Sequence, residues 1–88
     1  MSSTSHQPTL VVYSREECHL CQVMIHALQA LQAHSAFELE VIDIDGDPQL
    51  VSRYGERIPV LIASKDGQEI CHYHLDQTAL DADLSKIR

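Results

Sequence analysis

Cys18 and Cys21 are separated by two residues and lie between a short apolar run and a longer amphipathic segment. The apolar run, residues 10–13, is bounded by polar residues and is typical of a buried parallel strand. The amphipathic segment has apolar side chains at alternating spacings of three and one, which predicts a helix. These side chains are Leu20, Val23, Met24, Ala27, Leu28 and Leu31. The sequence therefore predicts a strand followed by a helix, with two thiols where the helix begins.

A second strand and a short second helix are predicted further along the chain. Residues 37–45 first alternate between apolar and polar and then become rich in β-branched side chains, as strands do. Asp47 followed by Pro48 is a helix start, with aspartate as the N-cap and proline at the first helical position. Gly55 supplies a stop, so this helix should cover residues 48–54.

The last third of the sequence predicts two strands and a final helix. Residues 59–63 and residues 69–74 have the composition of strands, and an Asp-Gly pair between them favours a hairpin. Asp76 is placed to cap a helix that follows. This helix would carry Leu80, Leu84 and Ile87 on one side.

The order of the predicted elements is β-α-β-α-β-β-α, which assigns the chain to the α/β class. The strands of the first βαβ unit should be parallel and its crossover right-handed, and the hairpin adds two antiparallel strands. A four-stranded mixed sheet with helices on both faces accommodates these elements in 88 residues. We expect one domain over residues 9–88, preceded by a disordered tail over residues 1–8.

The charge balance excludes two classes of partner. Six Lys or Arg against thirteen Asp or Glu give a formal net charge of −7, which would repel nucleic acid and anionic membranes. The longest apolar stretch, residues 59–63, is too short to span a bilayer. The tail has neither the basic region nor the apolar stretch of a secretory signal. We therefore expect a cytoplasmic monomer, in a compartment where thiols are kept reduced.

The spacing of the two cysteines suits thiol–disulfide exchange. Cys18 lies at the predicted helix start, where unpaired N–H groups and the positive end of the helix dipole stabilise a thiolate. Cys21 follows one turn later on nearly the same side, close enough to attack a mixed disulfide formed at Cys18. These positions predict that Cys18 is the nucleophile and Cys21 the resolving thiol.

Two motifs and the order of the elements resemble glutaredoxins and small thioredoxin-fold proteins. The strand, the C-x-x-C unit and the helix are followed by Ile58-Pro59-Val60 before a hairpin and a last helix. The likeness is greatest to short bacterial glutaredoxin-like proteins, which carry a Cys-His-Leu-Cys site and a Tyr-Gly-x-x-Ile-Pro-Val segment. Here these are residues 18–21 and 54–60, and the resemblance covers residues 9–87. It implies a disulfide oxidoreductase with a thioredoxin-like fold.

The resemblance also implies a substrate-binding segment. In that family the proline corresponding to Pro59 follows a cis peptide bond and lies opposite the dithiol. The backbone of the preceding residue, here Ile58, pairs with the bound disulfide or peptide. The expected substrates are protein or small-molecule disulfides, and no organic cofactor is required because the dithiol itself carries two electrons.

Four charged or titratable residues near these motifs are candidates for a role in the site. Arg15 and Arg57 are candidate substrate contacts, although Arg15 could equally be a surface arginine paired with the neighbouring glutamates. His19, between the cysteines, is a candidate modulator of the thiolate when protonated. Glu17 suits the entry to a helix, but its charge should oppose formation of the thiolate at Cys18.

Glutathione is a doubtful partner. Glutaredoxins that use glutathione usually place a Gly-Gly pair and an aspartate after the last strand to hold the tripeptide. Residues 72–76 here read His-Tyr-His-Leu-Asp, and side chains in place of the glycines should obstruct the approach of the tripeptide to the backbone. The sequence therefore predicts weak glutathione binding.

Two other functions use the same residues. The thiols could belong to a metal-binding or metal-delivery module, with His72 and His74 as further donors, or the domain could be a redox-inert interaction domain. No bound metal is expected under the leading interpretation. The third cysteine, Cys71, falls within a predicted strand and is interpreted as a small apolar residue, with a regulatory thiol that can be glutathionylated as the alternative.

Overall fold

The computed structural model describes residues 7–85 and contains the predicted elements in the predicted order. The described residues form four strands and three α-helices, with one 3₁₀ turn at Ile44–Gly46 between the second strand and the second helix. The strands are β1 (Thr9–Ser14), β2 (Glu38–Asp43), β3 (Val60–Ala63) and β4 (Glu69–His72). The helices are α1 (His19–Leu31), α2 (Pro48–Tyr54) and α3 (Gln77–Ser85). The α/β fold class is confirmed.

The four strands form one mixed sheet in the order β2-β1-β3-β4. β1 runs parallel to β2 and antiparallel to β3, and β3 is antiparallel to β4. Ser14 pairs with Asp43, Tyr13 with Val60, and Val60 with His72. The ends of β1, β2 and β4 and the start of β3 therefore lie along one edge of the sheet, where the loop to Cys18 begins.

The sheet separates two apolar clusters, as the prediction of helices on both faces requires. Along β1, alternate side chains point to opposite faces. Leu10 and Val12 belong to one cluster, whereas Val11 belongs to the other. The larger cluster also contains Met24 and Leu28 of α1, Leu61 of β3, Leu80 of α3, and Phe37, which directly precedes β2. The smaller one contains Tyr54 of α2 with Val60 and Ile62.

The predicted helix ends are confirmed by their capping contacts. The side chain of Asp47 accepts a hydrogen bond from the Gln49 N–H at 2.9 Å, and that of Asp76 accepts one from the Ala79 N–H at 3.0 Å. Gly55 ends α2 in an ordinary right-handed conformation. A Cβ atom at this position would lie 2.5 Å from the Val51 carbonyl oxygen, so close approach of the backbone favours glycine here.

Two strands end two residues earlier than predicted. Residues 37–45 were expected to be one strand, but β2 ends at Asp43, whose carboxylate accepts a hydrogen bond from the Asp45 N–H at 2.9 Å and starts the 3₁₀ turn. Residues 69–74 were expected to be another, but β4 ends at His72 because Tyr73 has a φ of 63° and turns the chain away.

The two termini extend beyond the described residues. Residues 1–6 of the predicted tail and Ile87 of the predicted last helix lie outside them. The Pro8 carbonyl oxygen accepts a hydrogen bond from the Glu38 N–H at 2.8 Å, which joins the segment before β1 to the start of β2. Between residues 7 and 85, none of the helices has the length and apolar character needed to cross a membrane.

Candidate active site

Cys18 is the N-cap residue of α1. Its backbone is extended, with φ −133° and ψ 106°, and its Sγ atom accepts a hydrogen bond from the Cys21 N–H at 3.1 Å. A side-chain acceptor in this position satisfies one of the N–H groups that have no partner within the helix. The sulfur is therefore held where the helix stabilises negative charge.

Cys18 and Cys21 are joined by a disulfide, with their Cα atoms 5.2 Å apart. The two residues differ in accessibility. Cys18 is half-buried, whereas Cys21 has no solvent-exposed surface. Only the first sulfur can therefore be reached by a large disulfide from solution, which is the asymmetry expected of an attacking and a resolving thiol.

The segment Ile58–Pro59 lies at the same edge of the sheet as the disulfide. The peptide bond between the two residues is cis, and Pro59 is buried directly before β3. The Pro59 carbonyl oxygen accepts a hydrogen bond from the Tyr73 N–H at 2.9 Å, so the end of β4 fixes this segment. Ile58 is half-buried and packs against the cluster around Tyr54 and Val60.

Both candidate arginines form ion pairs within the protein. Arg15 Nε lies 2.9 Å from Asp45 Oδ1, across the edge of the sheet, and not against Glu16 or Glu17. Arg57 Nη2 pairs with Glu69 Oε1 at the start of β4. The alternative that paired Arg15 with the neighbouring glutamates was therefore wrong, because the 3₁₀ turn after β2 places Asp45 next to it. Neither Asp45 nor Glu69 was identified from the sequence.

The predicted modulators lie on the surface beside the dithiol. Glu16, Glu17 and His19 are all exposed, and the first turn of α1 contains no acidic side chain. The two glutamates precede the N-cap, so they are outside the helix. Their proximity to Cys18 in the sequence leaves the electrostatic opposition to its thiolate as an expectation for the reduced protein.

His72, the last residue of β4, and Tyr73, directly after it, contribute more to the site than the sequence indicated. Tyr73 adopts its left-handed conformation while its hydroxyl donates to the Glu56 carbonyl oxygen at 2.6 Å. His72 Nδ1 lies 2.6 Å from Glu69 Oε2, and its ring packs edge-on against that of Tyr73. Together these contacts join the end of β4 to the chain that leads into Ile58–Pro59.

Cys71 is half-buried on β4 and lines an open groove of about 610 Å³ with Leu75 and the start of α3. Burial raises the pKa of its thiol, the hydrogen bond from the Asp76 N–H lowers it, and the carboxylates of Asp76 and Glu69 raise it further. A raised pKa reduces the thiolate fraction at neutral pH, so the geometry fits a small apolar residue better than a reactive thiol.

The metal interpretation required His72 and His74 beside the two cysteine sulfurs. Within residues 7–85, the side chains of His, Cys, Asp and Glu form no group of three or more that could hold a metal ion. His72 instead contacts Glu69.

The mixed sheet carries a half-buried cysteine at a helix start, joined by a disulfide to a buried cysteine three residues on. A buried proline after a cis peptide bond lies at the same edge of the sheet. This arrangement is that of the thioredoxin-fold class. The structure is similar to that of Fasciola hepatica thioredoxin, with a TM-score of 0.65 and 18% identity. That match covers 93% of this chain and 82% of the thioredoxin. At this identity the similarity establishes the fold alone.

The family follows from more specific matches. The model of the glutaredoxin-like domain family (DUF836) matches residues 9–85, so the chain belongs to that family. The solution structure of protein Ne2328 from Nitrosomonas europaea is similar, with 49% identity, a TM-score of 0.83, and coverage of 96% of this chain and 99% of that one. The thioredoxin-like protein slr0233 from Synechocystis is 30% identical, and the match covers 80% of this chain and 70% of that protein's sequence. Fold, family and paired cysteines support a redox function of the thiols in general.

Proposed function

We propose that this protein is a thiol–disulfide oxidoreductase in which Cys18 attacks the substrate disulfide and Cys21 resolves the intermediate. The observation that carries the proposal is the asymmetry of the pair: a half-buried N-cap sulfur is bonded to a sulfur with no exposed surface. Ile58 and Pro59, at the same edge of the sheet, would bind the substrate backbone beside Cys18.

The reaction begins from the reduced dithiol. The Cys18 thiolate attacks one sulfur of the substrate disulfide, which forms a mixed disulfide and releases the other substrate sulfur as a thiolate. The Cys21 thiolate then attacks Cys18 Sγ, which forms the Cys18–Cys21 disulfide and releases the second substrate thiolate. Two electrons pass to the substrate, and a second thiol reductant must return two electrons to the protein. We place this cycle in the cytoplasm, where thiol reductants are available.

Stoichiometric turnover tests the proposed function. The protein is reduced, freed from the reductant and mixed with an excess of a short peptide that contains one disulfide. We expect two peptide thiols for each protein molecule, together with formation of the Cys18–Cys21 disulfide. Release of no peptide thiol would show that the pair is redox-inert toward substrates.

In the reduced protein, Cys18 should titrate below the value of about 8.5 that is usual for a cysteine, because the start of α1 stabilises its thiolate. The alkylation rate of each cysteine, measured by mass spectrometry from pH 5 to pH 10, reports this pKa. Cys71 serves as the internal comparison, because burial raises its pKa and its reaction should accelerate only at higher pH. Faster alkylation of Cys21 than of Cys18 in the native protein would reverse the assigned roles.

Glutathione should bind weakly. Tyr73 is 42% exposed and held by its contact with Glu56, and in our proposal its side chain obstructs the approach of a tripeptide to residues 72–76. The net charge of −7 also repels glutathione, which is anionic. In a coupled assay with glutathione and glutathione reductase, we expect a rate well below that of an ordinary dithiol glutaredoxin. An equal rate would show that the side chains of residues 72–76 do not obstruct the tripeptide.

A further inference from the structure

Negative charge is concentrated along the edge of the sheet that carries the dithiol. Four segments meet there: residues 14–19, 43–47, 56–59 and 72–76. They contain seven aspartates or glutamates and two arginines, and so carry five of the seven excess negative charges of the chain. This edge, defined by the four segments, is called the dithiol edge below.

The two arginines of the dithiol edge are already paired. Arg15 contacts Asp45, which belongs to the same edge, so this pair leaves no net charge. Arg57 contacts Glu69, which lies outside the four segments and reaches the edge from the start of β4. Arg57 directly precedes Ile58–Pro59, so its guanidinium is the cation nearest in sequence to the proposed substrate-binding segment.

Glu69 is held in this position by both of its carboxylate oxygens. Oε1 accepts from Arg57, and Oε2 lies 2.6 Å from His72 Nδ1. The Glu69 side chain is only 26% exposed, whereas that of Arg57 is 45% exposed. The carboxylate is therefore the less exposed partner and has two contacts, and a carboxylate of a bound substrate would have to compete with it for Arg57.

We propose that Glu69 is a specificity-determining residue of this site: by pairing with Arg57, it directs the dithiol edge toward disulfides flanked by basic groups and against anionic disulfides. This inference rests on the proposed thiol–disulfide exchange and concerns its substrate class. The chemical steps at Cys18 and Cys21 are those given for the proposed function. The flanking groups of the substrate lie near the edge while Cys18 attacks, so their charge affects encounter and binding.

Three peptides test the preference. They share one disulfide and differ only in the residues beside it, which are Lys, Gln or Glu. Each rate with the reduced protein is divided by the rate of the same peptide with dithiothreitol, because flanking charge also changes the intrinsic reactivity of a disulfide. We expect the normalised rates to fall from Lys to Gln to Glu. The differences should shrink in 1 M NaCl, where the screening length is about 3 Å.

Substitution of Glu69 assigns the preference to this residue. Glu69→Gln keeps the shape of the side chain and releases Arg57 from its carboxylate partner. We expect the normalised rate with the Glu peptide, divided by that with the Gln peptide, to rise about threefold to fivefold in this variant. A change of this size corresponds to the contribution of an exposed ion pair. Adding Arg57→Gln to this variant should remove the gain. The matched control is Glu38→Gln, which removes one carboxylate at the opposite end of β2 and should leave the ratio unchanged.

The outcomes separate the two proposals. If the protein reduces none of the three peptides, the proposed oxidoreductase function is wrong. If it reduces all three and their normalised rates are equal, the proposed function stands and the charge-based specificity is wrong. If Glu69→Gln and Glu38→Gln change the ratio equally, net charge and not Glu69 sets the preference. The rate with the Gln peptide shows whether each variant retains an intact dithiol.

Discussion

Replacement of Cys18 by serine is expected to abolish disulfide reduction, with a loss on the order of 10³-fold or more, because a hydroxyl is not a nucleophile for disulfides at neutral pH. Replacement of Cys21 by serine should give a different result. Cys18 can still attack and release one thiol, but no second thiol is available to break the mixed disulfide. Mass spectrometry of the Cys21→Ser variant should therefore show the protein with one substrate half attached, and one released thiol instead of two.

The third cysteine provides the matched control for this experiment. Cys71 is half-buried on β4, and its pKa is raised by burial, so Cys71→Ser should reduce substrates at nearly the rate of the unchanged protein. The assigned roles would be contradicted if Cys18→Ser retained activity that was lost on adding Cys71→Ser. They would also be contradicted if the substrate half accumulated on Cys21 in a Cys18→Ser variant.

The elements of the fold were predictable because their signals are local. The α1 pattern of apolar side chains identified a helix whose described ends are His19 and Leu31. The caps Asp47 and Asp76 act through hydrogen bonds to N–H groups two and three residues away. Local hydrogen bonds of this kind depend on neighbouring sequence, so a short window contains the information needed to predict them.

The misplaced strand ends depend on contacts between distant parts of the chain. Tyr73 ends β4 in a left-handed conformation, which is uncommon for a residue with a bulky side chain. Its hydroxyl and N–H contact Glu56 and Pro59, which are 17 and 14 residues away in the sequence. No feature of the sequence near Tyr73 indicates those contacts, so the strand appeared to continue to His74.

The candidate site shows the same division between local and distant information. The C-x-x-C unit at a helix start specified the two sulfurs and the difference in their positions. The partners of the arginines depend instead on the sheet: Asp45 reaches Arg15 because β1 and β2 are parallel and end in register, and Glu69 reaches Arg57 because β3 and β4 form a hairpin. Their identification requires the strand register, which side-chain composition alone does not determine.

Leu28→Ala is expected to destabilise the folded protein by about 3 kcal/mol, within the range of roughly 2–5 kcal/mol for a buried leucine. Leu28 lies in α1, has no exposed surface and packs in the larger cluster with Leu10, Met24 and Leu61. Alanine and leucine are both good helix formers, so the loss comes from the cavity and not from helix propensity. For a domain of this size, the melting temperature should fall by about 12–24 °C, which calorimetry or circular dichroism measures.

Val23→Ala on the same helix is the matched control, because Val23 is 51% exposed and its truncation leaves no cavity. Alanine has the higher helix propensity, so this change should leave the free energy of unfolding unchanged or raise it slightly. A cost below about 1 kcal/mol for Leu28→Ala would contradict the packing described here. Because Leu28 anchors the helix that starts at Cys18, its loss should also lower the temperature at which disulfide reduction stops. At temperatures where the variant remains folded, the rate should be retained, since Leu28 lies far along α1 from the sulfur.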